Sequence, residues 1–108
     1  GDLVFTVLLI PHHKYELNAP HLKTTMKINF VQSLVGFKKE IPFFGGEVVV
    51  VERDGITEHG QVVVLRGEGM PVKDSTDSRG NIYVTINVDF PKTLTGNQKQ
   101  VLRDIFGS

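Results

Sequence analysis

Apolar residues recur at every second position over much of this chain, the period of a strand with one dry face and one wet face. In the stretch 81–90, Ile82, Val84, Ile86, Val88 and Phe90 alternate with Asn81, Tyr83, Thr85, Asn87 and Asp89. The stretch 24–30 repeats the pattern, with Met26, Ile28 and Phe30 set between Thr25, Lys27 and Asn29. Such alternation predicts antiparallel strands covered on one side. The stretches 3–10 and 62–65 are apolar almost throughout, which predicts strands buried on both faces.

Turn chemistry separates these runs. Phe44-Gly45-Gly46-Glu47 sets two glycines between the arms 38–44 and 47–53. This predicts a tight hairpin turn, because both central positions tolerate positive φ. Pro42 has no N–H to give to a ladder, so the first arm is expected at a sheet edge. Asp54-Gly55 predicts a second turn, and 73–80 an exposed polar loop. Thr95 followed by Gln98 predicts a capping box at the start of a C-terminal helix. Its stripe Val101, Leu102, Ile105 and Phe106 is expected to pack on the chain's own sheets. The alternative is a dimer contact through Leu102, Ile105 and Phe106. A shorter helical turn is predicted at 32–35. The fold class is therefore all-β: an antiparallel two-layer β-sandwich with one or two short helices, including the C-terminal one, filling residues 1–108 as a single domain.

Composition narrows the function. The chain has 108 residues, of which 40% are apolar, and twelve basic residues balance twelve acidic ones. Phosphate-backbone binders carry a basic excess, so nucleic acid is not expected as a partner. No apolar run approaches the roughly 18 residues of a membrane span, so no membrane contact is expected. The apolar start lacks the basic lead and cleavage site of a signal peptide. The first residue is not methionine, and the chain is expected to be a piece of a longer one.

Candidate chemistry is sparse. The absence of cysteine excludes disulfides, thiolate metal sites and cysteine nucleophiles. His12 and His13 are adjacent and point to opposite faces of a strand. His21 follows Pro20, His59 sits in a polar turn, and all four histidines read as solvated loop residues rather than metal ligands. Gly67-Glu68-Gly69 lacks the Gly-Lys-Ser/Thr continuation of a phosphate loop and reads as a kinked turn between strands. Ser33, Ser75 and Ser78 lack a Gly-x-Ser-x-Gly frame, and Asp54, Glu58, Asp74 and Asp77 are scattered among turns. No enzyme, no cofactor and no metal is expected.

The unusual feature is aromatic. Phe37, Phe43 and Phe44 lie within eight positions, around an edge strand and a Gly-Gly turn. Phe37 reads as core. Phe43 and Phe44, as strand neighbours, are expected to point to opposite faces, one buried and the other outward. An outward aromatic beside an open sheet edge suits an extended peptide. Met26, Ile28, Phe30, Phe37, Phe43 and Phe44 are the peptide-binding candidates.

Several segments in order resemble the second β-sandwich subdomain in the C-terminal substrate-binding region of DnaJ-type J-domain co-chaperones. They are Gly1-Asp2-Leu3-Val4-Phe5, Pro11-His12-His13-Lys14-Tyr15, Ser33-Leu34-Val35-Gly36-Phe37, Gly67-Glu68-Gly69-Met70-Pro71, Gly80-Asn81-Ile82-Tyr83-Val84, and Val88-Asp89-Phe90-Pro91 before the last helix. The resemblance implies a non-enzymatic subdomain that holds unfolded polypeptide for delivery to a seventy-kilodalton heat-shock chaperone. It also implies a homodimer in the full-length protein, joined after this subdomain. Another reading is a structural spacer and dimerisation module that positions a neighbouring client-binding subdomain. An unrelated ligand-binding or hydrolytic sandwich is a third. Two corners depart from the family pattern: Phe44-Gly45-Gly46 replaces an acidic Asp-Gly hairpin, and Asn18-Ala19-Pro20-His21 replaces an acid-rich turn. Ile56-Thr57 resembles members of the endoplasmic reticulum lumen more than cytosolic ones.

Overall fold

The alternating stretches become the central strands of a mixed sheet, and the more uniformly apolar ones become its edges. The structure, a computed structural model, describes residues 6–10, 13–18, 20–70 and 78–107. In chain order these form β1 (Thr6–Ile10), β2 (His13–Asn18), β3 (His21–Asn29), α1 (Phe30–Val35), β4 (Phe37–Pro42), β5 (Val48–Arg53), β6 (Val62–Leu65), β7 (Ile82–Asp89) and α2 (Gly96–Phe106). Among the described residues, five strands form one sheet in the order β1-β2-β3-β7-β6, and β4 pairs with β5 in a second layer.

This is the expected all-β sandwich, with one departure from antiparallel pairing. β3 and β7 run parallel, from Leu22 opposite Ile82 to Asn29 opposite Asp89. Their inward residues meet row by row, Leu22 with Ile82, Met26 with Ile86, and Ile28 with Val88, and all six are buried. Phe37, Ile41, Phe43, Val49 and Val51 close the core from the second layer.

The stretches 3–10 and 62–65 do not lie buried on both faces. β1 pairs only with β2, and β6 only with β7, so each has an open edge. Val7, Leu9, Val62 and Val64 are exposed. Phe90, the expected fifth member of the β7 face, falls past the end of that strand and is exposed. The segments 3–5, 11–12 and 71–77, with parts of the expected first strand, polar loop and family motifs, lie outside the described residues.

The Gly-Glu-Gly motif is the kinked turn expected of it. Gly69 N–H donates to Gly80 O (2.8 Å), Gly80 N–H to Met70 O (2.8 Å), and Met70 N–H to Pro20 O (3.0 Å). A Cβ on Gly69 would sit 2.8 Å from Asn81 O and 2.9 Å from Pro20 O, and one on Gly80 would collide with Pro20 O. Three backbones cross here with no space for side chains.

The predicted helical turn at 32–35 is the second half of α1. Its start carries a capping box: Asn29 Oδ1 accepts from Gln32 N (2.8 Å), and Asn29 N–H donates to Gln32 Oε1 (3.0 Å). The same device opens α2, with Thr95 and Gln98 in the two roles (3.1 and 2.8 Å). The stripe on α2 does not pack on the home sheets as expected. No residue of this helix is buried, and Val101, Ile105 and Phe106 are exposed.

Candidate functional site

The hairpin β4–β5 pairs in regular register as far as Pro42 opposite Val48. Beyond that point Phe43 N–H donates to Glu47 O (2.8 Å) and Glu47 N–H donates to Phe44 O (3.2 Å). Phe43 and Phe44 together therefore oppose one residue, Glu47, which is a β-bulge. Gly45 (φ 67°) and Gly46 (φ 76°) then reverse the chain in a left-handed conformation that glycine adopts without strain.

The bulge corrects the expectation that the two phenylalanine rings point to opposite faces. An extra residue breaks the alternation, and the rings meet edge to face with centroids 4.9 Å apart. Phe43 is buried, and Phe44 is 38% exposed.

Phe43 stands at the centre of an aromatic chain. Tyr15 meets it edge to face at 5.9 Å, and His13 meets Tyr15 at 5.1 Å. Arg79 lies over the Phe43 ring at 5.9 Å while its Nε donates to Gly69 O (2.8 Å). The Tyr15 hydroxyl donates to Pro42 O (2.7 Å), which joins the two layers at this corner. Burial pushes the Tyr15 pKa up to about 12. Thr24 Oγ1 donates to Lys14 O (2.7 Å), so its lone pair receives the proton of His13 Nε2 (2.6 Å). Burial lowers the His13 pKa, because the site disfavours an imidazolium.

Next to this corner lies an open cleft of about 660 Å³. Leu9 and Ile10 of β1 form one wall, and Pro42, Phe43, Phe44, Gly45, Gly46 and Val48 form much of the other. Leu9 is 82% exposed. The cleft thus joins an uncharged, open-edged strand to an apolar turn. Such a surface offers backbone pairing along one side and side-chain contact along the other.

The peptide-binding candidates divide accordingly. Met26, Ile28, Phe37 and Phe43 are buried in the core; Phe30 is half-buried; Phe44 reaches the cleft. The sequence reading omitted Leu9, which it assigned to a strand buried on both faces, although an uncharged strand beside an aromatic turn was a usable signal. Of the dimerisation candidates, Ile105 and Phe106 are exposed and Leu102 is half-buried beside Phe30 and Leu94.

The histidines are not simply solvated. His21 Nδ1 accepts Asn81 N–H (3.0 Å) and His59 Nδ1 accepts Val88 N–H (2.9 Å), so two imidazoles tie backbone at the two ends of β7. Each therefore carries its proton on Nε2. Among the described residues, no three histidine or carboxylate side chains gather as a metal site. No helix among them is long and apolar enough to cross a membrane.

Comparison with known proteins agrees with this architecture. Residues 1–91 match the family model of the DnaJ C terminal domain. The DnaJ protein ERDJ3B of Oryza sativa subsp. japonica is 41% identical over 97% of this chain and 30% of its own length. The chaperone protein DnaJ of Carboxydothermus hydrogenoformans is 39% identical over 96% of this chain and 27% of its own. DnaJ homolog subfamily B member 11 of Homo sapiens is 38% identical over 97% of this chain and 30% of its own. The chain spans less than a third of these relatives, and the match covers β1 to β7 together with the Gly69–Gly80 crossing. This chain belongs to the DnaJ C-terminal domain family.

Proposed function

We propose that this chain is a client-contacting sandwich of a co-chaperone, which receives an extended segment of unfolded polypeptide in the cleft between β1 and the Phe44 turn. The role is binding rather than catalysis, and the captured chain passes to a seventy-kilodalton heat-shock chaperone. The observation that carries this reading is the exposure of Leu9 and Phe44 on facing walls of an apolar cleft beside an open strand edge. Fluorescence anisotropy with labelled unfolded model polypeptides tests it. Binding that weakens at least about fivefold in a Leu9→Ser, Phe44→Ser double variant with an unchanged fold supports the reading. Binding that the double variant leaves intact overturns it.

A second reading, the spacer and dimerisation module, has its own observation in α2, whose Val101, Ile105 and Phe106 are uncovered. A second copy would cover them, consistent with a homodimer of the full-length protein. Sedimentation of the full-length protein with Ile105→Asp and Phe106→Asp checks this: a shift from dimer to monomer is expected, and an unshifted dimer removes the helix from the contact. The endoplasmic reticulum lumen is the proposed compartment, on the resemblance at Ile56-Thr57. Fractionation of cells carrying the tagged full-length protein tests it, and a cytosolic pool alone would refute it.

A further inference from the structure

We propose that the corner cleft selects extended apolar segments flanked by lysine or arginine, an inference that rests on the peptide-binding reading above. Among its described lining residues, Glu40 and Glu47 are the charged ones, and both are exposed. They stand on the two strands of one hairpin, Glu40 on β4 and Glu47 just before β5. Leu9, Pro42, Phe44 and Val48 supply apolar surface in the same cleft. The cleft is therefore an apolar floor with a carboxylate rim.

No described cation neutralises that rim. Neither Glu40 nor Glu47 makes a side-chain hydrogen bond or ion pair with a described residue. Arg79 reaches the same corner, but its Nε is held by Gly69 O and its guanidinium by the Phe43 ring, and it does not line the cleft. The chain as a whole carries a formal charge of zero, so any preference for basic flanks comes from this local pair and not from a long-range field. Rim charges of this kind set selectivity and capture rate more than affinity, and salt screens them.

Three labelled peptides with one shared leucine- and phenylalanine-rich centre, flanked by lysine, serine or aspartate, separate the possibilities. Anisotropy titrations of this chain are expected to show the lysine-flanked peptide binding about three- to tenfold tighter than the serine-flanked one, the range for two exposed ion pairs. The aspartate-flanked peptide is expected to bind weakest. High salt, and a Glu40→Gln, Glu47→Gln variant, should each bring the three affinities together. In that variant the serine-flanked peptide should keep its wild-type affinity, which also reports an intact fold. Equal affinities for all three peptides at low salt overturn the charge preference and leave the peptide-binding reading standing. No binding by any of them overturns both.

Discussion

Four aliphatic side chains stand on β7 and four on β1, and the two strands use them oppositely. On β7, Ile82, Val84, Ile86 and Val88 all face the core, and Tyr83, Thr85 and Asn87 make the other face. On β1, Ile10 is buried and Leu8 half-buried, while Val7 and Leu9 point outward. The cause is place in the sheet. β7 has a neighbour on each side and the second layer above it; β1 has one neighbour and an open edge. The apolar side chains of β7 are needed for the fold itself. Those on the outer face of β1 exceed that need, and surplus apolar surface on an unprotected edge is what a binding strand requires. By contrast, β4 carries Lys38, Lys39, Glu40 and Pro42, which blunt an edge.

The comparison breaks most sharply at the seam. Ile86→Ala is expected to lower unfolding stability by about 2–5 kcal/mol, because a fully buried side chain leaves a cavity. Chemical denaturation measures it, and a loss below about 1 kcal/mol would mean that β7 is not the centre of the core. Tyr15→Phe removes the hydroxyl donor from Pro42 O where the two layers meet. A loss of about 1 kcal/mol is expected from the same measurement.

Two smaller effects depend on pH. The native His13 has a lowered pKa, so the unfolded chain takes up the proton first as pH falls through about 6.5. Stability should fall with acidification until the native imidazole is also protonated, and His13→Gln should flatten that residue's part of the curve. Tyr15 has the opposite sign, since its pKa is raised from 10.0 to about 12. Its contribution is complete below pH 10.0 and is lost as pH climbs towards about 12. Thermal melts across both ranges check the two arms. The smallest stability change belongs to β1. Leu9→Ser should move stability by no more than about 0.5 kcal/mol while weakening peptide binding, and a larger loss would show Leu9 to be structural.

The residues disclosed some of this and concealed the rest for physical reasons. Strict alternation from Ile82 to Asp89 marked β7, and Thr95 with Gln98 marked the start of α2, because both signals are local. The capping box of Asn29 and Gln32 was equally local but lay inside a run that read as strand up to Phe30. The parallel pairing of β3 with β7 was not legible, since it joins segments far apart in the chain. The bulge at Phe43 hid the contact of that ring with Phe44, because alternation is the wrong rule once an extra residue enters the strand. Leu9 was misplaced for a related reason: uniform apolarity describes a strand buried on both sides and an edge awaiting a partner equally well. The acceptor roles of His21 and His59 depend on backbone delivered from other strands, which no spacing rule shows.

The β3–β7 seam also sets a timetable. Leu22 meets Ile82 sixty positions later, and at roughly 5–20 residues per second the ribosome needs several seconds to make that span. Until it has done so, the greasy row of β3 has no mate. A nascent molecule destined to shelter loose polypeptide is, for that interval, loose polypeptide itself.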